Sequence, residues 1–267
     1  MEDRLLDGEL LRENEEIHDL LRRGYRIIQK KSGFRFSIDA VLLAWFAGRV
    51  GENDRVIDLG SGTGVIPLLM DARNGAGTYV GLEIDPAMAE MASRSARLNG
   101  VEDRVHFFEG DLVTASGSFG KDTFDIVTAN PPYMKTGTGK LNPDPMKAAA
   151  RHEIFCTLRD VIREAAALLR KGGHFYMIHR AERLPEILAE LEKHGLAAEK
   201  VRPICPAEGK KANLVLISAV KGEGIALRAE EPLYVYDGRG DYTQEIMEIY
   251  GIPGDESDSR TERQSSE

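Results

Sequence analysis

The stretch Val56-Ile-Asp-Leu-Gly60-Ser-Gly62-Thr-Gly64-Val65 decides the fold of this chain. Its first four residues form a short, mostly apolar and β-branched run of the kind that becomes a buried strand, and a helical apolar pattern begins at Val65. The three glycines between them allow a tight turn and let a ligand approach the backbone closely. The sequence therefore predicts a strand, a glycine-rich turn and a helix, which together make one unit of an α/β sheet.

The same alternation continues on the carboxyl side of this unit. We predict strands at 56–59, 78–84, 105–109, 124–129 and 174–178, and helices at 39–49, 65–72, 86–98, 158–169 and 183–194. Strands and helices that alternate at this spacing form a parallel, doubly wound sheet. Two late strands, at 201–204 and 213–218, are close enough in sequence to pair antiparallel. The expected fold is α/β and Rossmann-like, with a mainly parallel sheet and an antiparallel C-terminal strand pair.

The charge of the chain is concentrated at its ends. The net charge is −9, and residues 1–20 and 251–267 account for −6 and −3 of it, so residues 21–250 are balanced. We predict an acidic N-terminal extension over 1–20, one domain over 21–250 and a disordered acidic tail over 251–267. At the start of the domain, 25–29 and 33–36 are expected to form a short hairpin. An anionic partner is compatible with this charge, because local charge governs steering.

Cysteine usage and hydropathy indicate the compartment. Cys156 and Cys205 stand without a CxxC partner or His-rich spacing, which predicts reduced thiols and no metal site. No apolar run approaches 18 residues, so we expect no membrane span. The acidic N-terminus lacks the apolar region of a signal peptide. These features together predict a cytoplasmic protein.

Acidic residues follow three consecutive predicted strands. Asp58 opens the glycine-rich turn, Glu83 comes 19 residues after Gly64, and Asp111 follows the third strand. An acid at the position of Glu83 can accept hydrogen bonds from ribose hydroxyls. A dinucleotide fingerprint reads GxGxxG and leaves a helix N-terminus for a pyrophosphate, whereas this loop reads DxGxGxG. Its acid favours a ligand with a cationic amine, such as S-adenosylmethionine (SAM).

Asn130-Pro-Pro-Tyr133 directly follows the strand predicted at 124–129. Two prolines cannot continue a sheet ladder, because neither has an N–H group. The strand therefore ends with an amide side chain, free carbonyls and an aromatic ring at the edge where α/β proteins bind ligands. The oxygens can accept both hydrogens of a planar NH2 group, and the ring can stack on its face.

Together these motifs resemble those of class I SAM-dependent methyltransferases that act on amino groups. The chain as a whole is similar to the bacterial tRNA1(Val) adenine-N6 methyltransferases over about residues 22–250. This likeness extends to three further stretches, which are Phe36-Ser-Ile-Asp39, Leu233-Tyr-Val-Tyr236 and Tyr242-Thr-Gln-Glu-Ile246. It implies a SAM-dependent enzyme that methylates N6 of an adenine in RNA, specifically the tRNA adenine beside the anticodon.

The resemblance also implies roles for individual residues. The residues expected to bind SAM are Asp39, Asp58, Gly60, Gly62, Gly64, Glu83, Asp111 and Asn130. In the catalytic group, the Asn130 side-chain oxygen and the Pro131 carbonyl would accept the hydrogens of the target amine, and Tyr133 would stack on the base. The basic residues expected to contact RNA phosphates are Arg22, Arg23, Arg26, Lys30, Lys31 and Lys135.

The Asn-Pro-Pro-Tyr turn by itself does not distinguish an adenine acceptor from a guanine or a glutamine. Methylation of a glutamine in a protein release factor uses the same turn, but such enzymes usually carry a separate N-terminal helical domain, and here only about 20 residues precede the predicted hairpin. Methylation of guanine N2 in ribosomal RNA is a further alternative. A protein that binds SAM or RNA without catalysis would have no use for Asn130 and Tyr133. The loop spacing disfavours a NAD oxidoreductase.

Overall fold

The computed structural model describes residues 10–32, 36–131, 133, 156–222 and 226–252. Within these ranges the strands are β1 (Glu15–Asp19), β2 (Arg26–Lys30), β3 (Arg55–Leu59), β4 (Thr78–Glu83), β5 (Val105–Glu109), β6 (Phe124–Ala129), β7 (Leu169–Arg180), β8 (Leu196–Ala207), β9 (Leu214–Lys221), β10 (Arg228–Ala229) and β11 (Leu233–Tyr236). The helices are α1 (Ile38–Phe46), α2 (Val65–Asn74), α3 (Pro86–Leu98), α4 (Ala115–Phe119), α5 (Leu158–Leu168), α6 (Leu184–Lys193) and α7 (Gln244–Tyr250). Short 3₁₀ turns at Leu112–Thr114 and Ala181–Arg183 precede α4 and α6.

Nine of these strands form one sheet in the order β10-β8-β9-β7-β6-β3-β4-β5, with β11 also paired to β8. The strands from β7 across to β5 run parallel. β9 lies antiparallel between β7 and β8, so β8 and β11 point in the same direction as the parallel strands. The predicted Rossmann-like α/β fold is confirmed, as is the antiparallel pairing of the two late strands.

This topology collects the ends of distant strands along one edge of the sheet. β3, β4, β5, β6 and β7 all end there, at Leu59, Glu83, Glu109, Ala129 and Arg180. We call this the carboxyl edge. It brings the glycine-rich turn, the three acids and the Asn130 turn into one row, because parallel strands present equivalent ends at the same edge.

Alternate residues of each strand pack into two cores on opposite faces of the sheet. Val56 joins a core with α1, α2 and α7, whereas Ile57 joins a second core with α4, α5 and α6. Burial on both faces is the reason that the central strands read as continuous apolar runs. In the part of the chain that the structure describes, no helix is long and apolar enough to cross a bilayer.

The N-terminal hairpin differs from the prediction. β2 pairs antiparallel with β1, with Glu15 opposite Lys30, while 33–35 of the predicted partner strand lie outside the described residues. Tertiary contacts specify this partner: Arg94 of α3 forms a buried ion pair with Glu15 at 2.5 Å, and the Ser95 hydroxyl accepts the Ile28 amide. The boundary predicted at residue 20 therefore falls inside a hairpin that packs on α3. In the predicted tail, residues 253–267 lie outside the described part of the chain.

β7 is also longer than expected. The predicted helix at 158–169 ends at Leu168, and the strand begins at once with Leu169, which pairs with Phe124. Gly172, with φ of +80°, lies in this strand and does not cap the helix. A register shift between Phe124 and Ile126 accommodates the extra residues.

Candidate active site

A cleft of about 560 Å³ opens at the carboxyl edge above β3, β4 and β5. This volume suits a small molecule of nucleoside size. Residues from three regions line it, namely the start of α1 (Phe36, Ser37, Ala40), the glycine-rich turn (Gly60, Ser61, Gly62, Thr63) and the strand ends (Glu83, Asp85, Gly110, Asp111, Asn130). Most of the predicted cofactor residues therefore converge on one cavity, while Asp39, Asp58 and Gly64 lie behind its lining.

The glycine-rich turn is held close to the backbone of β4. The amides of Gly60 and Ser61 both donate to the Leu82 carbonyl, at 2.9 and 3.0 Å. Gly62 has φ of +55°, and a Cβ there would meet no atom within 4 Å, so the missing side chain leaves room in the cleft. Gly64 differs, because a Cβ there would lie 2.5 Å from the ring of Phe107. One glycine thus opens space for a ligand and the other permits helix packing.

Glu83 closes β4 and faces the cleft. Its carboxylate accepts the Gly62 amide at 2.8 Å and the Asp85 amide at 3.0 Å, which ties the turn to the strand end. Burial raises the pKa of Glu83 above its ordinary value. Each carboxylate oxygen can accept a second hydrogen bond. A pair of vicinal hydroxyls in the cleft would supply these bonds.

Asp58 lies beneath the turn and is almost completely buried. Its Oδ1 accepts the Thr128 hydroxyl at 2.6 Å, while Oδ2 has no hydrogen-bond partner among the described residues. Burial raises the pKa of Asp58 to about 7; the Thr128 hydrogen bond opposes this shift and the charge of Glu83 adds to it. A cation bound above the turn would stabilise both carboxylates, because opposite charges lower a carboxyl pKa.

Asp111 has two functions at the end of β5. Its Oδ1 accepts the Val113 amide at 2.9 Å and so caps the 3₁₀ turn Leu112–Thr114. The residue also lines the cleft at the side away from Asn130. A carboxylate there can accept hydrogen bonds from an amino group of a purine.

Asn130 lines the other end of the cleft and lies next to Tyr133 and Asp39. The Tyr133 hydroxyl lies 2.6 Å from Asp39 Oδ2 and 2.7 Å from Asn130 Oδ1. The Tyr133 hydroxyl has only one proton to donate. Because a carboxylate is a stronger acceptor than an amide oxygen, the hydroxyl donates its hydrogen bond to Asp39. The amide oxygen of Asn130 then keeps its capacity to accept from a ligand. Asp39 therefore contacts the acceptor end of the site through Tyr133.

The ring of Tyr133 packs between α1 and the end of β7. Its centroid is 5.3 Å from the ring of His179, and the Arg180 guanidinium lies 5.6 Å from it. Burial and then the charge of Asp39 raise the pKa of Tyr133 well above its ordinary value. Burial also lowers the pKa of His179 to about 3. Near neutral pH both groups are uncharged, and the low pKa of His179 makes it a weak base.

Two of the predicted RNA-binding arginines lie far from this cleft. Arg22 donates to the carbonyls of Glu248 and Ile249 at the end of α7. Arg23 approaches Gly75, which follows α2. Since α2 begins at the carboxyl edge and its ten residues run about 15 Å away from it, this cluster is near the opposite edge.

The rest of the basic segment runs back toward the site. The Arg26 amide donates to Asn99 at the end of α3, again at the far edge. Gln29 reaches Thr63 of the glycine-rich turn at 3.3 Å, so Lys30 and Lys31 lie nearer the cleft. Lys135 falls outside the described residues.

The sequence prediction missed three polar residues that support the site. Thr128 holds Asp58, and His179 and Arg180 flank Tyr133. Two of them could have been suspected, since His179 and Arg180 follow a predicted core strand with polar side chains. Among the described residues no group of three or more His, Cys, Asp or Glu side chains is placed to hold a metal ion.

Three comparisons relate this geometry to known proteins. A methyltransferase domain profile matches residues 51–223. The tRNA1(Val) (adenine(37)-N6)-methyltransferase of Porphyromonas gingivalis is 26% identical over 232 residues, which cover 84% of this chain and 90% of that protein. A protein of the same name from Bacteroides thetaiotaomicron is 26% identical over 227 residues, covering 84% and 92%.

Among solved structures, a predicted O-methyltransferase from Agrobacterium tumefaciens superposes with a TM-score of 0.64 at 25% sequence identity. The match covers 81% of this chain and 98% of that one. The profile spans more than half of the chain and includes the glycine-rich turn, Glu83, Asp111 and Asn130. The chain therefore belongs to the methyltransferase domain family and has its Rossmann-like fold.

Proposed function

We propose that this protein transfers a methyl group from SAM to N6 of an adenine in RNA, and that the substrate is the tRNA adenine beside the anticodon. This proposal rests on the position of the Asn130 amide oxygen at the acceptor end of the cleft. The neighbouring Tyr133 hydroxyl donates its hydrogen bond to Asp39, so the amide oxygen is available to a ligand. An amide oxygen suits a neutral amine, because it accepts a hydrogen bond from an N–H group without adding charge.

SAM fits the residues of the cleft. Glu83 would hold the ribose hydroxyls, Asp111 the adenine amino group, and Asp58 the positive charge above the turn, where its Oδ2 has no hydrogen-bond partner among the described residues. The absent side chains at Gly60 and Gly62 leave space for the methionine portion. When bound, SAM supplies an electrophilic methyl group on a sulfonium that is already a good leaving group.

The residues of the chain itself orient the target amine toward the methyl group. An exocyclic amine is a poor nucleophile, because its lone pair is delocalised into the ring. The Asn130 oxygen and the Pro131 carbonyl accept its two hydrogens and favour the tetrahedral geometry in which the lone pair can attack. Holding reacting groups in this way can supply on the order of 7–11 kcal/mol in the best cases. Because Tyr133 stays protonated and His179 is a weak base, the proton leaves to solvent after transfer.

Tyr133 would position the target base by stacking. The Arg180 guanidinium and the His179 ring already contact the Tyr133 ring, so the adenine would stack on the part of the ring that they leave uncovered. An adenine in a tRNA loop can reach the pocket only when it is unstacked from its neighbours. Such a substrate implies a cytoplasmic enzyme, in which both cysteines, Cys156 and Cys205, are reduced.

The nature of the acceptor is supported by the two relatives, whose names specify adenine 37 of tRNA1(Val). In the deciding test, the purified protein is incubated with unmodified tRNA and isotopically labelled SAM. The nucleosides of the tRNA are then analysed by mass spectrometry. We expect label in N6-methyladenosine. Label in N2-methylguanosine, or in the glutamine of an added release factor and not in RNA, would overturn the proposal.

A further inference from the structure

Three tyrosines near the C-terminus form a continuous stack. The ring centroids of Tyr236 and Tyr242 are 5.4 Å apart with an interplanar angle of 14°, and those of Tyr242 and Tyr250 are 5.8 Å apart at 13°. Tyr236 is 43% exposed and Tyr242 is 38% exposed, whereas Tyr250 packs against the core. Large aromatic rings are usually buried, so an ordered aromatic stack that opens to solvent at one end requires an explanation.

The exposed end of the stack lies on the same edge of the sheet as the acceptor site. β11 runs parallel to β8 and places Tyr236 opposite Ala207, the last residue of β8. The order β11-β8-β9-β7-β6 separates Tyr236 from the strand of Asn130 by four strand spacings, or roughly 19 Å. A few nucleotides of a single strand can span this distance.

The inner end of the stack packs on the same core as the acceptor site. Tyr250 and Tyr133 both contact this core. Helix α7, which ends at Tyr250, packs against α1, which carries Asp39. Asp39 in turn accepts the Tyr133 hydroxyl.

The loop that presents the stack is ordered by its own hydrogen bonds. The Asp237 carboxylate accepts the amides of Arg239 and Asp241 at 2.8 and 3.1 Å, and Tyr236 and Tyr242 form a backbone bridge. Thr243 donates its hydroxyl to the Tyr234 carbonyl at 2.8 Å. A platform that is already rigid binds a partner with little loss of conformational entropy.

Cations border the surface between Tyr236 and Asn130. Lys210 and Lys211 are exposed on the turn that joins β8 to β9, which also lies at the carboxyl edge. Neither ammonium group has a carboxylate within salt-bridge distance in the described part of the chain. Exposed aromatic rings beside unpaired cations are the combination with which proteins bind single-stranded nucleic acid.

We propose that Tyr236 stacks on a nucleobase of the loop that carries the acceptor adenine, with Lys210 and Lys211 contacting the intervening phosphates; this inference rests on the RNA methyltransferase function proposed above. Tyr242 covers one face of Tyr236, so the base binds to the other. The RNA strand then runs along the carboxyl edge from β6 toward β11, and the arginines at the far edge make no contact with it.

The first test compares Tyr236→Ala, Tyr236→Phe and, on the same strand, Tyr234→Ala as the matched control. Affinity for a fluorescent anticodon stem–loop RNA is measured beside affinity for SAM. We expect Tyr236→Ala to bind RNA about 5- to 150-fold more weakly, the range for loss of one stacked base, with unchanged SAM affinity. Tyr236→Phe and Tyr234→Ala should bind like wild type. Wild-type RNA affinity of Tyr236→Ala, or equal weakness of Tyr236→Phe, would overturn the stacking role.

A second test locates the stacked nucleotide by placing one abasic site at each position of the loop. We expect one position, other than the acceptor, at which the abasic site weakens binding to wild type but not to Tyr236→Ala. The absence of any such position would overturn the inference. Methylation of the same RNA by wild type is measured in parallel. If wild type binds the RNA but forms no N6-methyladenosine, the proposed function fails while the binding comparison still stands.

The phosphate contacts are tested by salt dependence. The double variant Lys210→Gln/Lys211→Gln should reduce the slope of log K against log salt by roughly 0.7 for each single-strand phosphate that it no longer neutralises. Lys121→Gln/Lys171→Gln is the matched control, because both lysines are exposed at the opposite edge of the sheet, where β6 and β7 begin. Equal slopes for the two double variants would show that Lys210 and Lys211 do not contact the RNA phosphates.

Discussion

The two halves of the carboxyl edge are built in different ways. The half above β3, β4 and β5 consists of a pinned backbone turn and acids at or beside the ends of their strands, and its hydrogen bonds join neighbouring strand ends. The half above β6, β7 and β11 assembles Asp39, Tyr133 and His179 from distant parts of the chain. In the proposed function the first half binds a cofactor of fixed shape, whereas the second accommodates a macromolecule.

The two halves also differ in electrostatics. Burial raises the pKa values of Asp58 and Glu83, so the cofactor half contains carboxylates that a bound cation would stabilise. In the acceptor half burial keeps Tyr133 and His179 neutral. This difference suits a positively charged methyl donor on one side and a neutral amine on the other. It also predicts that variants in the two halves will affect different measurements.

The largest effect is expected in the acceptor half. Asn130→Ala removes the oxygen that we propose accepts the amine, and we expect kcat to fall by about 10²–10³-fold, as for loss of one preorganised hydrogen-bonding group. The affinity for SAM should change little. Single-turnover methylation and calorimetric SAM binding separate these effects. A variant that methylates at near the wild-type rate would refute the assignment of Asn130.

In the cofactor half, two glycines should respond differently to the same change. Gly64→Ala combines a positive φ with the Phe107 contact and should reduce the unfolding free energy by about 2–4 kcal/mol. Gly62→Ala and the control Gly100→Ala have positive φ without a clash and should each cost about 1–2 kcal/mol. Under conditions in which all three variants are fully folded, only Gly62→Ala should also weaken SAM binding. Denaturant titration with and without SAM distinguishes the three.

Asp58 should make SAM binding depend on pH. With a pKa of about 7 the carboxyl is protonated below neutrality, and a bound cation must displace this proton. We therefore expect affinity to rise by up to tenfold per pH unit below pH 7 and to level off above it, with proton release in calorimetry. Asp58→Asn should abolish this dependence. An unchanged pH profile in the variant would exclude Asp58 from contact with the cofactor charge.

The same group affects stability with a defined sign. The native state binds more protons than the unfolded state between the unfolded pKa of Asp58, near 4, and about 7, so this carboxyl lowers the unfolding free energy as pH rises through that window. His179 acts oppositely, because its pKa is lowered to about 3 and its contribution is lost as pH falls from about 6.5. Relative to wild type, Asp58→Asn should gain stability from pH 4 to 7, which urea titrations at several pH values would measure.

The smallest effect is expected at Asp39. In Asp39→Ala the Tyr133 hydroxyl can donate only to Asn130, where it competes with the substrate amine. We expect about a 5- to 10-fold loss in kcat/KM for RNA, the value of about one hydrogen bond, and little change in SAM affinity. The double variant Asp39→Ala/Tyr133→Phe removes the competing proton and should recover part of the Asn130-dependent rate. A loss of SAM affinity in Asp39→Ala would instead support the cofactor role predicted for this residue.

Much of the cofactor half could be predicted because its residues are local. The turn from Asp58 to Gly64 is contiguous, and Glu83 and Asp111 lie at the ends of strands whose apolar runs are clear in the sequence. The resemblance to the tRNA1(Val) methyltransferases is confirmed by relatives that carry this name. From the sequence, Arg22 was expected to contact phosphate. In the structure its guanidinium donates to the carbonyls at the end of α7, a contact that the sequence pattern did not indicate.

The sequence alone determined the order of the strands from β3 to β9 and of most of the helices between them, the glycine-rich turn and the acids at the strand ends, because these depend on side-chain periodicity and on residues adjacent in the chain. Only the tertiary structure decided that β1 is the partner of β2, that Asp39 reaches Tyr133, and that Tyr236, Tyr242 and Tyr250 stack. These contacts join residues far apart in sequence or on different elements. Their free energy depends on burial and geometry that appear only when the sheet and its two layers of helices have packed.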